Sequence, residues 1–174
     1  MENEVIESNI SQSFKQQVDT FLSLKHIAVV GISRKSGAGN AIFDKFKSAG
    51  YRVTPIHPVL DVYAGEPCYK SISLMSEAPD GVFIMTRPEI TLQVTKDCIQ
   101  TGIQRIWMHN MNGVNPKWMK SASQKMSSVH KEAVRLAQEA GINVIAGGCP
   151  MQHIKPVDVF HKCIHWINER TKSV

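Results

Sequence analysis

A short apolar segment near the N-terminus constrains the fold of this chain more than any other feature. Residues 27–31 read Ile-Ala-Val-Val-Gly, a nearly continuous hydrophobic run that ends in glycine. Such a run is typical of a strand that is buried on both faces, as in parallel sheets covered by helices. A polar, glycine-bearing stretch follows over residues 31–39, which we call the first loop. Residues 40–49 then show helical spacing of apolar side chains, and Gly50 marks the helix end.

The same strand–loop–helix unit recurs along the chain. Apolar runs predict further strands at 51–56, 81–86, 105–109 and 142–146, and helical spacing predicts helices at 11–25, 88–102, 131–140 and 157–167. Alternation of this kind implies parallel strands joined by crossover helices. We therefore predict an α/β fold, a doubly wound, Rossmann-like parallel sheet of five strands with helices on both faces.

Length and composition indicate one domain. The chain has 174 residues, of which 43% are hydrophobic and 20% charged, which excludes wholesale disorder. We expect residues 1–10, which hold Glu2, Glu4 and Glu7, to form an acidic leader, and residues 11–174 to form a single domain. The four cysteines contain no CxxC pair, and the start of the chain lacks signal-peptide features. These observations favour free thiols and a cytoplasmic protein without a membrane partner.

The first loop has the composition of an anion site. Folds of this class bind ligands at the carboxyl ends of the strands, and the first loop leads into a helix N-terminus, which favours phosphate. Its glycines let a ligand approach the backbone, and its side chains supply charge and hydroxyl groups. The candidate phosphate-binding residues are Gly31, Ser33, Arg34, Lys35 and Gly37.

The motifs for two common phosphate ligands are missing from the sequence. The dinucleotide fingerprint GxGxxG is absent, because the chain reads G-x-S-x-x-x-G-x-G from Gly31. The acidic residue that binds the ribose of NAD is also absent from the end of the second strand, where the first carboxylate is Asp61. No GxxxxGK[ST] P-loop occurs either. A phosphorylated ligand other than NAD is therefore favoured.

Five segments in order resemble the small CoA-binding Rossmann-fold proteins, whose domain is similar to the N-terminal domain of the succinyl-CoA synthetase alpha subunit. The resemblance spans roughly residues 12–152. The segments are His26-Ile-Ala-Val-Val-Gly-Ile-Ser-Arg-Lys-Ser-Gly37, Gly50-Tyr-Arg-Val-Thr-Pro-Ile-His-Pro58, Gly65-Glu-Pro-Cys-Tyr-Lys-Ser71, Pro79-Asp-Gly-Val-Phe-Ile-Met-Thr-Arg-Pro-Glu89, and residues 141–151 with Gly-Cys-Pro-Met.

The resemblance implies a site for coenzyme A across the carboxyl ends of the strands. The first-loop residues would hold phosphates, while Pro55, His57 and Pro58 would flank the adenosine. Thr86, Arg87 and Pro88 would line the pantetheine path. Where the family usually has a Gln-Pro-Gly-type turn, this chain has Trp-Met-His-Asn-Met-Asn-Gly at 107–113. His109 and Asn110 are the polar groups in this segment best placed for chemistry or for recognising an acyl group, and a histidine that is simply bonded at the strand end is the structural alternative.

Two functions stay open at this stage. The first is a module that binds CoA or an acyl-CoA, with no catalytic residues assigned. The alternative is an enzyme acting on a CoA thioester or on a nucleotide-type cofactor, including NAD, with His109 and Asn110 near the reacting end. We expect no nucleic-acid partner, although the basic segment 115–135 offers a weak signal. We also expect no metal site at Cys149, His153, His161 and His165. Whether the chain forms a homo-oligomer is left open.

Overall fold

The core of the fold is one parallel sheet. The computed structural model describes residues 13–110, 127–159, 161–163 and 166. Five parallel strands form the sheet in the order β2-β1-β5-β6-β7, which confirms the predicted fold class. These strands are β1 (His26–Val30), β2 (Arg52–Ile56), β5 (Gly81–Ile84), β6 (Arg105–Met108) and β7 (Asn143–Ala146).

The helices begin where the sequence supplies a suitable first turn. They are α1 (Phe14–Leu22), α2 (Ala38–Ser48), α3 (Pro88–Gln100) and α4 (Lys131–Glu139). Helix α1 starts at a capping box between Ser13 and Gln16, and α3 starts with a proline at its first position. In the predicted helix over 157–167, the described residues 159, 161–163 and 166 are helical, and positions 160, 164, 165 and 167 lie outside the described residues. No described helix is long and apolar enough to cross a membrane.

Two hydrophobic layers sandwich the sheet. Helices α1 and α2 cover one face, where the buried aromatic side chains are concentrated: Phe21, Phe43, Phe46, Phe83 and Trp107. Helices α3 and α4 cover the other face with smaller side chains, including Cys98, Ala133 and Ala137. All five residues of β1 are buried, as its continuous apolar run predicted. Burial on both faces leaves only the strand ends available to a ligand.

A small hairpin that the sequence analysis did not predict follows β2. Strands β3 (Val62–Tyr63) and β4 (Glu66–Pro67) pair antiparallel. Ala64 and Gly65 form the turn between them, and both have positive φ angles, 49° and 81°. The hairpin packs on α2, since the ring of Tyr63 lies edge-on to Phe43 at 5.1 Å between centroids. It thus connects the end of β2 to the helix that follows the first loop.

Candidate functional site

The carboxyl ends of β1 and β5 lie side by side, and the order of the strands reverses there. β1 pairs with β2 on one side and with β5 on the other, so the chain leaves the sheet centre in both directions. Such a switch point opens a crevice for a ligand. Gly31 ends β1 with a φ of 114°, and a Cβ there would lie 2.1 Å from the carbonyl oxygen of Met85. Only glycine lets the first loop pass this close to the end of β5.

Asn40 fixes the shape of the first loop. Its Oδ1 accepts a hydrogen bond from the backbone N–H of Ser33 at 3.0 Å, and its Nδ2 donates to the Ser33 carbonyl at 2.9 Å. The hydroxyl of Ser33 in turn accepts from the N–H of Lys35 at 3.2 Å. Asn40 is 7% exposed, so these bonds are shielded from water. From the sequence, Asn40 was predicted only to begin a helix; the signal for its role in the loop is a side-chain amide that can hydrogen-bond to nearby backbone groups.

The first loop presents charge and backbone donors that no other described group neutralises. Arg34 and Lys35 are exposed, and neither forms an ion pair with another described residue. Gly37 precedes α2 and has no side chain to cap the free N–H groups of its first turn. Free N–H groups and the positive end of a helix dipole favour an anion. A phosphate is the ligand group that these features suit best.

A cleft of about 340 Å³ opens on the α3 side of the first loop. Its floor is apolar and consists of Val30, Ile56 and Ile72. Helix α3 forms one wall and the segment after β2 forms the other. The remaining lining residues are Gly31, Ile32, His57, Pro58, Lys70, Ser71, Thr86, Ile90, Gln93, Val94 and Asp97. An apolar cleft with a few polar groups next to an anion-binding loop suits a ligand with a flat organic part and phosphates.

The segment after β2, which we call the second loop (residues 57–61), is held by two side chains. His57 Nδ1 accepts hydrogen bonds from the N–H groups of Val59 and Leu60, both at 3.1 Å. Lys70 Nζ donates to the carbonyl oxygens of the same two residues at 2.8 and 2.9 Å, and to Asp61 at 2.7 Å. Lys70 is therefore occupied by three oxygen atoms of this loop. Sequence analysis did not single it out.

The electrostatics of His57 connect the two loops. Burial lowers the pKa of His57, and the positive charges of Arg34 and Lys70 lower it further. Arg34 therefore acts on the second loop as well as on the solvent in front of the first loop. An anion bound between the two loops would be stabilised by Arg34 in particular, because that guanidinium is not already paired with a described residue.

The structure brings most of the predicted site residues together. Gly31, His57, Pro58 and Thr86 line the cleft. Arg34, Lys35 and Gly37 line a second, more open pocket of about 410 Å³ beside the start of α2, and Ser33 shapes the loop between the two pockets. Arg87 is exposed at the N-cap of α3, and Pro88 is the first residue of that helix. Arg87 also forms no ion pair with another described residue.

Two predicted residues lie away from the cleft. Pro55 is buried in β2 and alternates with Ile56, whose side chain forms part of the cleft floor, so Pro55 faces the opposite side of the sheet. His109 is 1% exposed, and its ring lies 6.1 Å from that of Phe83 in the aromatic layer. Neither residue is part of the cleft lining. Ligand contact by either residue stays a prediction.

The histidine and cysteine cluster has ordinary structural contacts where it is described. Asp158 Oδ1 accepts from the N–H of His161 at 3.0 Å, and its other oxygen lies 2.6 Å from His161 Nδ1. Cys149 is 3% exposed, and burial raises its pKa to about 11. Within the described ranges no three metal-ligating side chains come together. His165 and most of the 115–130 segment lie outside those ranges.

The five-stranded parallel sheet with helices on both faces defines an α/β, Rossmann-like class of domain. Residues 25–155 match a protein family described as a CoA binding domain. Because this match covers most of the chain, the protein belongs to that family.

Two known proteins are similar to this chain over most of its length. The chain is 25% identical over 126 residues to the uncharacterized protein YneT of Bacillus subtilis strain 168, covering 72% of this chain and 82% of that one. It is similar to the solved structure of a hypothetical protein from Pyrococcus horikoshii OT3, with a TM-score of 0.69, 21% identity, and coverage of 84% and 93% of the two chains.

Part of a larger protein is also similar to this chain. The dinucleotide-forming acetyl-coenzyme A synthetase 1 of Ca. Korarchaeum cryptofilum matches with a TM-score of 0.54 and 27% identity. The match covers 69% of this chain but only 25% of the synthetase. The present chain therefore corresponds to one part of that larger protein.

Proposed function

We propose that this protein binds coenzyme A or an acyl-CoA at the carboxyl ends of β1, β2 and β5. The proposal rests on one observation, in a member of a CoA-binding domain family: an apolar cleft lies next to a helix N-terminus without a side-chain cap and two cations that form no ion pair with a described residue. The name of the synthetase with a similar domain is consistent with the same ligand. We assign no reaction to the protein.

The diphosphate of CoA is placed against the first loop. Arg34 and Lys35 supply positive charge there, and the N–H groups after Gly37 supply donors. Arg87 at the start of α3 lies on the loop that follows β5 and adds a third cation that forms no ion pair with the described residues. Charge-assisted hydrogen bonds to phosphate are about twice as strong as neutral ones, so these groups are expected to contribute substantially to the affinity.

The adenosine is placed in the apolar cleft. Its rings cover Ile56 and Ile72 on the floor, and Pro58 lies at its edge. The pantetheine arm leaves along the loop of Thr86, Arg87 and Pro88. NAD is a poorer fit because Asp61, the first carboxylate after β2, is 89% exposed and paired with Lys70 at 2.7 Å. It does not line the cleft in which the ribose of NAD would need it.

The enzymatic alternative has weaker support. That alternative requires His109 and Asn110 to lie near the reacting end of a thioester. The His109 side chain, however, is 1% exposed and packs against Phe83. A general base must come within hydrogen-bond reach of the proton it removes. In the described conformation the imidazole of His109 does not meet this condition for a ligand in the cleft.

Isothermal titration of the purified protein with CoA, ADP and NAD tests the proposal. We expect CoA to bind most tightly, and replacement of both Arg34 and Lys35 by alanine to weaken CoA binding by at least about tenfold, or 1.4 kcal/mol. Replacement of Lys15 and Lys25 by alanine removes the same amount of charge from outside the candidate site and is expected to leave the affinity unchanged. No detectable CoA binding at millimolar ligand, or tighter binding of NAD, would overturn the proposal.

A further inference from the structure

The α3 wall of the cleft carries one polar pair. Gln93 and Asp97 lie one helical turn apart, and Gln93 Nε2 donates a hydrogen bond to Asp97 Oδ1 at 3.0 Å. Both side chains line the cleft, and the other α3 residues that line it, Ile90 and Val94, are apolar. The bond from Gln93 occupies one carboxylate oxygen of Asp97 and fixes its direction. The second oxygen and the Gln93 carbonyl oxygen stay available as hydrogen-bond acceptors.

No described cation neutralises Asp97. Lys70, the one cationic side chain that lines the cleft, donates to two carbonyl oxygens and to Asp61. Arg34 and Arg87, which are not ion-paired, belong to the loops after β1 and β5 rather than to the middle of α3. A carboxylate that lines an apolar cleft and lacks a cationic partner favours a ligand that donates hydrogen bonds to it.

The position of Asp97 along α3 separates it from the phosphate groups. Arg87 caps the helix beside the carboxyl ends of the strands, and Ile90 lies in the first turn. Asp97 follows Ile90 by seven residues, which is about 10 Å along the helix axis. The negative charge of Asp97 therefore lies at the opposite end of the cleft from the anion-binding loop. A nucleoside with its phosphates at that loop would direct its base towards Asp97.

From this arrangement we infer that Asp97, oriented by Gln93, accepts a hydrogen bond from the 6-amino group of adenine, so that the site prefers adenine to hypoxanthine. The inference rests on the proposed function. The amino group of adenine donates hydrogen bonds, whereas the corresponding oxygen of hypoxanthine or guanine only accepts them. A carboxylate is also acceptor-only, so it attracts the amino group and repels the oxygen. A site built on such a bond rejects an analogue that cannot make it.

Titration with CoA and with the CoA analogue that carries hypoxanthine in place of adenine tests this inference. The wild-type protein should bind CoA at least about tenfold more tightly than the analogue. Asp97→Asn keeps the size of the side chain and can still accept from Gln93, but its amide can also donate to a 6-oxo group. This variant should bind CoA less tightly and the analogue more tightly, with the ratio of the two affinities falling below about threefold.

Two further variants separate base recognition from effects on folding. Asp97→Glu keeps the acceptor and should retain a preference for CoA. Asp19→Asn changes an aspartate of α1, which lies on the opposite face of the sheet and pairs with Lys15 at (i, i+4) spacing. This variant should change neither the affinity for CoA nor that for the hypoxanthine analogue. Circular dichroism and thermal melting of each variant report whether the fold is retained.

Each outcome distinguishes the inference from the proposed function. Equal binding of CoA and the hypoxanthine analogue by the wild-type protein would overturn the inference while leaving CoA binding intact. An equal loss of both affinities in Asp97→Asn would also overturn it, since Asp97 would then act on something other than the base. If the wild-type protein binds neither ligand at millimolar concentration, the proposed function itself fails.

Discussion

The carbonyl oxygen of Gly31 occupies the space next to Gly39 in which any larger residue would place its side chain. A Cβ at position 39 would lie 2.2 Å from that oxygen, far inside van der Waals contact. The first turn of α2 thus rests directly on the end of β1. This contact brings the free N–H groups of α2 to the strand ends, where the proposed phosphate site lies.

Replacing Gly39 with alanine should therefore damage both the fold and the site. Alanine normally stabilises a helix relative to glycine by about 1 kcal/mol. Here we expect destabilisation of about 1–3 kcal/mol, because the added methyl group must displace backbone rather than a flexible side chain. Urea denaturation and CoA titration measure the two effects.

Gly37→Ala is the matched control for this prediction. A Cβ at Gly37 would lie 3.4 Å from Asn40 Oδ1, an ordinary contact, and the φ angle of −170° is open to any residue. We expect a stability change of less than about 1 kcal/mol, which reflects a poorer N-cap. If Gly39→Ala is no more destabilising than Gly37→Ala, the close contact between α2 and β1 is not as described.

Loss of the Asn40 side chain should loosen the first loop. Asn40→Ala removes two hydrogen bonds to Ser33 and leaves a part-buried N–H and carbonyl unsatisfied, which costs about 1–3 kcal/mol. We also expect weaker CoA binding, because the loop would no longer be held in one shape. Gln104→Ala is the control, since it removes an amide that donates to the Gly102 carbonyl just before the amino-terminal end of β6, away from the carboxyl ends of the strands. Equal CoA affinities for the two variants would contradict this role of Asn40.

The pKa of His57 should rise when CoA binds. Arg34 and Lys70 contribute to lowering that pKa in the free protein, and a bound phosphate offsets their positive charge. Arg34→Ala should also raise it, for the same electrostatic reason. NMR titration of the His57 ring protons against pH, with and without saturating CoA, measures both changes. An unchanged pKa in the presence of bound CoA would place the phosphates away from Arg34 and the second loop.

His26 should make stability depend on pH. It is 6% exposed, and its Nε2 lies 2.8 Å from the Thr54 hydroxyl. Burial and, to a lesser degree, Arg52 lower its pKa below 6.5, although Glu77 and Asp80 act in the opposite direction. The unfolded chain thus binds a proton more readily than the folded one. The contribution of His26 to stability is fully present above pH 6.5 and is lost as the pH falls towards its folded pKa.

Denaturant unfolding of wild type and His26→Gln between pH 5 and 7.5 tests this prediction. Because one proton is involved, His26 should lower the unfolding free energy of the wild type by no more than about 1.4 kcal/mol for each pH unit. His26→Gln cannot titrate, so its unfolding free energy should fall less steeply over the same range. His57 is present in both proteins, so its contribution to the pH dependence of the unfolding free energy cancels in the comparison. Parallel pH profiles for the two proteins would mean that His26 is as easily protonated in the folded chain as in the unfolded one.

The main strands and helices of the fold could be predicted because their signals are local. The apolar run of β1, the proline that opens α3 and the glycines after the helices each act on their own segment. The hairpin was missed because its strands are two residues each, and its turn places Ala64 rather than a typical turn residue at positive φ.

The polar contacts of the site could be predicted only in part. The positive charge of Arg34 and Lys35 is visible in the sequence, but their lack of a described ion-pair partner is not. The roles of Asn40, Lys70 and Asp97 depend on which segments the fold brings together. His109 is buried beside Phe83 of the neighbouring strand β5, and that contact is set by the strand order rather than by the local sequence.

The small hairpin gives the site a property that neither loop would have alone. Tyr63 packs on Phe43 of α2, Lys47 of the same helix lies 2.7 Å from Glu66, and Lys70 holds the second loop from the other side. The two loops that would contact the ligand are thereby held in fixed positions relative to each other, through contacts with α2 and the hairpin. Binding then costs little ordering entropy, since the protein is preorganised for its ligand.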